Sequence, residues 1–120
     1  MLVNRRLREL RQLLELSQEA IGAQGFISTS GWVKIENGQR QPSDDLLEKL
    51  VRWLERDRYI TKANGVLLME ELMALKYMGD SSPFIRRLAK EFYEKLVSSP
   101  RALIGGDHPR TLSKAKKIKT

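Results

Sequence analysis

Apolar residues recur along the first part of the chain at the three- and four-residue spacing of an amphipathic helix. The earliest such stripe consists of Val3, Leu7, Leu10 and Leu14. Basic residues, among them Arg5 and Arg8, lie off this stripe. The pattern therefore predicts a first helix that buries one face in a core.

Short helices are predicted to follow, separated by polar turns that contain Gly or Pro. The second helix spans about 18–24, the third about 29–36, and the fourth begins at 44. A Ser or Thr precedes each of them, and such side chains cap the free N–H groups of a first helical turn. The predicted capping residues are Ser17, Ser28 or Thr29, and Ser43.

The second half of the chain continues the helical pattern. Asn64-Gly65 predicts a break, after which a fifth helix spans about 66–78 and a sixth about 83–97. The sixth helix has one apolar stripe, made of Ile85, Leu88, Phe92 and Leu96. No periodicity is visible from 101 onward, and the sequence lacks the alternation typical of strands. The predicted fold class is all-α.

Composition limits the classes of function. With 120 residues, 41% hydrophobic and 31% charged, the chain has the size and composition of one soluble domain with a small appendage. It has no Cys and a single His, His108, which excludes disulfides, thiolate metal sites and Cys nucleophiles. We therefore expect no enzyme, no catalytic residue, no metal and no cofactor. Because neither a membrane-spanning run nor a signal peptide is visible, we expect a cytoplasmic, nucleoid-associated protein without a membrane partner.

The net charge of +7 suggests a polyanionic partner such as nucleic acid, but this charge is unevenly distributed. In residues 1–57, nine Lys and Arg residues balance nine Asp and Glu residues. Residues 101–120 contain six Lys and Arg residues against one Asp. We interpret this basic end as a solvated tail, with a DNA-wrapping arm as the alternative.

Residues 17–36 have the organisation of a helix-turn-helix. Two short helices joined by a tight turn place the second helix in the major groove of DNA, where its side chains reach base edges. Residues 5–57 also resemble the Cro/repressor-type (XRE) helix-turn-helix family. The resemblance rests on Leu-Arg-Glu-Leu-Arg at 7–11, Ser-Gln-Glu at 17–19, and Ile-Glu-Asn-Gly-Gln-Arg-Gln-Pro-Ser at 35–43. It implies a lambda-repressor-like helical bundle that binds double-stranded DNA.

The resemblance also implies which side chains contact DNA. Gln18 is expected to hold a phosphate at the start of the second helix. Asn37 and Arg40 are expected to hold phosphates after the third helix, with a minor-groove contact as a further option for Arg40. Thr29, Ser30 and Lys34 are expected to face base edges or the adjacent DNA backbone. The complete predicted DNA-binding set is Gln18, Ser28, Thr29, Ser30, Lys34, Asn37, Gln39 and Arg40.

The same resemblance assigns structural roles. Arg11 and Glu36 occupy positions that form a buried or half-buried ion pair between the first helix and the end of the third. Gly22 stands where the family prefers alanine. The turn between the second and third helices is shifted by one residue, so that Phe26 or Ile27 fills its apolar position. Trp32 takes a core position, which we favour over a stacking surface.

We interpret the chain as a DNA-binding domain at 1–60, a helical dimerisation or interaction segment at 61–99, and a basic, flexible tail at 100–120. The Met- and Leu-rich fifth helix favours a subunit interface over a ligand pocket. Two DNA-binding domains held about 34–36 Å apart address a palindromic site. The residues predicted to form the homodimer interface are Leu68, Leu72, Leu75, Leu88 and Phe92.

These observations predict a sequence-specific transcriptional regulator, a dimeric repressor that binds a palindromic operator. The alternative is an antitoxin-type or adaptor protein whose C-terminal helices bind a protein partner. For the first helix, we expect Arg5, Arg6 and Arg8 to lie on a solvated face. Contacts between these residues and the DNA backbone are the alternative.

Overall fold

The computed structural model describes residues 2–98, and the regular secondary structure of this part is helical. The helices are α1 (Leu2–Leu13), α2 (Gln18–Gly22), α3 (Thr29–Glu36), α4 (Asp44–Arg56), α5 (Lys62–Tyr77) and α6 (Pro83–Val97). The predicted all-α class is confirmed. The predicted tail at 100–120 and His108 lie outside the described residues.

Side-chain caps explain where the helices begin. At the N-terminus of every helix from α2 to α6, a hydroxyl accepts a hydrogen bond from a backbone N–H of the first turn. The capping residues are Ser17, Ser28, Ser43, Thr61 and Ser82. For α3 the cap is Ser28 rather than Thr29, since its Oγ accepts the N–H of Gly31 at 3.0 Å.

Two helix boundaries differ from the prediction. α2 ends at Gly22 instead of about Gln24, because the chain turns there and brings Thr29 against it. α5 begins at Lys62, so Asn64-Gly65 lies inside the helix and does not break it. Thr61 caps this earlier start, and Gly65 is a packing residue: a Cβ at this position would lie 1.7 Å from Oε2 of Glu55 in α4.

The hydrophobic core is shared by α1 to α5. The predicted stripe on α1 is buried in it, and so is Trp32, which is 1% exposed. α1 contacts α3 and α5, and α4 contacts α5. α5 is therefore part of the same packed unit as the helices before it. α6 packs on α5, and Leu96, at 8% exposed, is its one buried residue.

Arg6 does not lie on a solvated face, in contrast to the prediction. It is 8% exposed, and its Nε donates to Oε2 of Glu71 at 2.7 Å; its guanidinium also pairs with Glu9. Burial raises the pKa of the Glu71 carboxyl, although the charge and hydrogen bonds of Arg6 oppose the rise. The helical pattern of α1 could not predict the pair between Arg6 and Glu71, because Glu71 lies on α5, which packs over α1. Arg5 and Arg8 are exposed, as predicted.

Candidate nucleic-acid interface

α2 and the first turn of α3 lie against each other at Gly22. A Cβ on Gly22 would lie 2.0 Å from Oγ1 of Thr29 and 2.8 Å from its backbone N. The connecting turn packs on α4 through Phe26, whose ring centroid is 6.2 Å from that of Trp53. Ile27 is buried beside it. Close contact on one side and apolar packing on the other therefore set the orientation of α3.

α3 presents a polar face to the solvent. Its buried residues are Gly31, Trp32, Ile35 and Glu36. Ser30, Lys34 and Asn37 are exposed at spacings of four and three residues, so they share one face. Thr29 and Val33 are half-buried beside them. A single helix with such a face fits the major groove, which is about 12 Å wide.

The carboxylate of Glu36 joins three helices at the end of α3. Arg11 of α1 donates two hydrogen bonds to it, from Nε to Oε2 at 2.5 Å and from Nη2 to Oε1 at 3.0 Å. Gln18 of α2 donates from Nε2 to Oε1 at 3.0 Å, and the indole N–H of Trp32 donates to Oε2. The structure thus places Arg11 and Glu36 in a bidentate ion pair that holds α3 against α1 and α2.

This environment favours the ionised form of Glu36. Burial, the strongest single influence, works against ionisation, but the hydrogen bonds from Arg11, Trp32 and Gln18 and the charge of Arg11 together outweigh it. The pKa of Glu36 is lowered from its ordinary value of 4.5 as a result. Because the folded-state pKa lies below the unfolded one, Glu36 stabilises the fold above about pH 4.5, and this contribution is lost as the pH falls.

Gln18 has a structural contact in addition to its predicted contact with DNA. Its side chain is half-buried, and one amide N–H is used by Glu36. A glutamine amide has two N–H donors, so a second one is left for a phosphate. Contact between Gln18 and DNA stays a prediction.

The chain leaves α3 through a tight turn at Gly38. The φ angle of Gly38 is +77°, a conformation that residues with a Cβ rarely adopt. The N–H of Gln39 donates to the carbonyl of Lys34 at 2.8 Å, and that of Gly38 donates to the carbonyl of Ile35 at 3.0 Å, which is a Schellman motif. The turn brings Gln39 and Arg40 to the surface next to α3, where both are exposed.

Asn4 has a role in this region that the sequence analysis missed. Its side chain is 2% exposed, and Nδ2 donates to the carbonyls of Ile35 at 2.6 Å and Arg40 at 2.9 Å. Asn4 therefore holds the end of α3 and the following turn against α1. The signal in the sequence was a polar residue that follows Val3 directly and precedes Leu7 by three positions, at the edge of the buried stripe.

The predicted DNA-binding residues lie on α2, on α3 with its cap, and in the turn after α3. The exposed members are Ser28, Ser30, Lys34, Asn37, Gln39 and Arg40, and the half-buried members are Gln18 and Thr29. The fold thus gathers predicted residues between 18 and 40 around α3.

The sequence model of a protein family described as a helix-turn-helix domain matches residues 4–58. This range extends from the first turn of α1 to just beyond the end of α4. Residues 4–58 are a helix-turn-helix domain. The prediction of a Cro/repressor-like helix-turn-helix family is thereby confirmed. No curated protein and no solved structure gives a significant match to the chain.

A helix-turn-helix domain at residues 4–58 indicates a DNA-binding regulator. Within residues 2–98 there is no helix long and apolar enough to cross a membrane. In the same part of the chain, no group of three or more His, Cys, Asp or Glu side chains is placed to hold a metal ion.

Helices α5 and α6, which follow the helix-turn-helix domain, contain the residues predicted for dimerisation. Leu68, Leu72 and Leu75 are buried, because α5 packs this face on α1 and α4. These three leucines belong to the core of their own chain, which corrects their assignment to a subunit interface. Leu88 and Phe92 on α6 are 47% and 44% exposed, so they remain available to a partner.

An apolar groove of about 630 Å³ lies between α5 and α6. Met69, Met73, Ala74, Tyr77, Ile85, Leu88, Ala89 and Phe92 line it, together with the single carboxylate of Glu70. Phe84, at the start of α6, is 62% exposed. Exposed apolar surface that is concentrated in one place is typical of a site that binds another molecule.

Proposed function

We propose that the protein is a sequence-specific transcriptional regulator, a homodimeric repressor that acts in the cytoplasm by occupying a palindromic operator rather than by catalysis. The observation that carries this proposal is the exposed polar face of α3 within a helix-turn-helix domain. Ser30, Lys34 and Asn37 on that face suit base edges and phosphates. The Glu36 network supports the proposal, because recognition needs a helix that is held rigidly.

Sparse hydrogen-bonding capacity on α3 shapes the expected mode of recognition. Gly31 and Val33 contribute no side-chain hydrogen bonds, and Thr29 is half-buried. We therefore expect few direct base contacts, methyl contacts from Thr29 or Val33 to thymine, and a large share of readout through DNA shape.

The operator is to be identified by selecting bound sequences from a random pool of duplex DNA with the full chain. The expected result is an enriched palindrome whose half-sites are centred about one helical turn apart. The triple variant Thr29→Ala/Ser30→Ala/Lys34→Ala is expected to bind the enriched site no better than unrelated DNA, because the side chains that face base edges are removed.

Lys90→Ala, which removes an exposed charge on α6, is the matched control for the loss of Lys34. It is expected to select the wild-type sequence. A pool without enrichment would contradict the proposed function. A triple variant that selects the wild-type sequence would contradict the assignment of base contacts to α3.

Dimerisation through the groove between α5 and α6 is expected to give a particle of twice the chain mass of 13.8 kDa in gel filtration with light scattering. Leu88→Glu/Phe92→Glu is expected to reduce this to a single chain, since both substitutions place a charge in an apolar interface. Lys90→Glu, a charge change elsewhere on α6, is the control and is expected to stay dimeric. Wild-type chain that elutes as a monomer would contradict the homodimer.

A protein partner is the second candidate for the groove, in an antitoxin-type or adaptor protein. The apolar lining and the exposed Phe84 favour a protein surface over a small polar ligand. A monomeric wild-type chain that still selects a DNA sequence would favour this second candidate.

A further inference from the structure

The side chain of Arg40 folds back onto α3 after the turn at Gly38. Its Nη1 lies 2.9 Å from the position that a Cβ on Gly31 would occupy. Ile27 Cγ1 and Ser28 Oγ also lie within 3.1 Å of that position. Because Gly31 has no side chain, the guanidinium lies directly against the first turn of α3.

The backbone of Arg40 is held in place as well. Asn4, which is 2% exposed, donates from Nδ2 to the carbonyl of Arg40 at 2.9 Å. The same amide donates to the carbonyl of Ile35 in α3. Asn4 thus fixes the backbone of Arg40 relative to α3, and the missing side chain of Gly31 leaves space for the guanidinium beside the helix.

The guanidinium of Arg40 nevertheless has no hydrogen bond or ion pair with any residue between 2 and 98. A guanidinium has five N–H donors in a planar fork that matches the oxygens of a phosphate. A guanidinium that lies against α3 with its donors unused is available to a ligand outside the chain.

We propose that Gly31 is a positioning residue, whose missing side chain lets the guanidinium of Arg40 lie against α3 and contact a DNA phosphate. The inference rests on the proposed DNA-binding function. Glycine is unfavourable in a helix, so its presence at position 31 needs an explanation. The space that it leaves for the Arg40 guanidinium provides one. Preorganisation of this kind strengthens binding because less side-chain freedom is lost when DNA binds.

The test is Gly31→Ala, measured on the DNA sequence that the wild-type chain selects and on an unrelated duplex. The nearest atom to the new methyl group is the end of the Arg40 side chain, which can turn away without moving backbone, so the melting temperature is expected to stay unchanged or to rise. The guanidinium is displaced, and affinity is expected to fall roughly three- to ten-fold on both duplexes. A phosphate contact is independent of sequence, which is why the loss is equal.

A double-mutant cycle with Arg40→Ala separates positioning from other effects of the methyl group. In the Arg40→Ala background, Gly31→Ala is expected to change the affinity no further. Gly79→Ala, where the nearest atom is 3.5 Å from the added Cβ, is the matched control and is expected to bind like the wild type. Equal losses in both backgrounds would overturn the proposal, because the methyl group would then act without Arg40.

A nuclear Overhauser effect between Gly31 Hα and the side chain of Arg40 in the free wild-type chain tests the geometry without any variant. The contact is expected to be observed, and its absence would overturn the inference. So would unchanged affinity in Gly31→Ala, or a clear fall in its melting temperature. A wild-type chain that binds no DNA would instead refute the proposed function, so the two failures are distinguishable.

Discussion

Arg11→Ala is expected to lower the free energy of unfolding by about 3–5 kcal/mol, the usual cost of breaking a buried ion pair from one side. The carboxylate of Glu36, with a side chain 2% exposed, loses both hydrogen bonds of the pair and the compensating charge. The carbonyl of Leu16, which accepts from Nη1 of Arg11 at 2.9 Å, also loses its donor. Because small domains are stable by only about 5–15 kcal/mol, this loss is a large share of the total stability. Chemical denaturation followed by circular dichroism measures the change.

Arg52→Ala is the matched control for Arg11→Ala. Arg52 pairs with Glu48 at 2.8 Å on the exposed surface of α4, and exposed pairs contribute about 0–1 kcal/mol. A fall in the free energy of unfolding for Arg11→Ala but not for Arg52→Ala would show that the burial of Glu36 causes the effect, and not the removal of an arginine as such. An Arg11→Ala variant that unfolds at the wild-type denaturant concentration would refute the structural role of the pair.

Gly22→Ala is expected to destabilise the protein by about 1–3 kcal/mol, the cost of overpacking a close contact. Helix propensity by itself predicts the opposite, a gain of about 1 kcal/mol, because alanine is favoured over glycine within helices. The close contact between α2 and α3 makes overpacking the larger effect, because the added Cβ would lie 2.8 Å from the N and 2.9 Å from the Cα of Thr29. These are backbone atoms, so α2 and α3 must move apart. Thermal melting measures the loss, and DNA affinity is expected to fall with it because α3 is displaced.

The double variant Gly22→Ala/Thr29→Ala distinguishes the backbone contact from the side-chain contact. It removes the overlap with Oγ1 of Thr29 but leaves the overlap with the N and Cα atoms. It is therefore expected to remain less stable than Thr29→Ala. A melting temperature of Gly22→Ala above that of the wild type would show that propensity dominates and that the two helices separate at little cost.

The order of the helices was predictable because its signals are local. A cap and the helix that it begins are adjacent in the sequence, and an apolar stripe repeats every three or four residues. Ser17 and Ser43 were identified in this way, and Ser28 was one of two alternatives. Asn64-Gly65 was misread because a glycine that breaks a helix and a glycine that allows close packing look alike in the sequence. Glu55, whose contact distinguishes the two, lies on another helix.

The candidate site was predictable in part. The placement of Ser30, Lys34 and Asn37 on one face follows from helical periodicity, and the motif assigned Arg11 and Glu36 to each other. The contacts of Asn4 with Ile35 and Arg40 were not predictable, since the partners are separated from Asn4 by 31 and 36 positions in the sequence. The contact between Arg40 and Gly31 likewise depends on how the chain folds back after α3.

By itself, the sequence determined the helical class of residues 2–98, the caps of α2 and α4, and the helix-turn-helix domain, because all three depend on short spacings along the chain. Only the tertiary structure decided which side of each helix is covered. It placed Leu68 and Leu72 in the core of the chain, paired Arg6 with Glu71 across 65 positions, and left Leu88 and Phe92 exposed. The physical reason is that burial and pairing depend on which faces meet after folding, and residues far apart in sequence supply those faces.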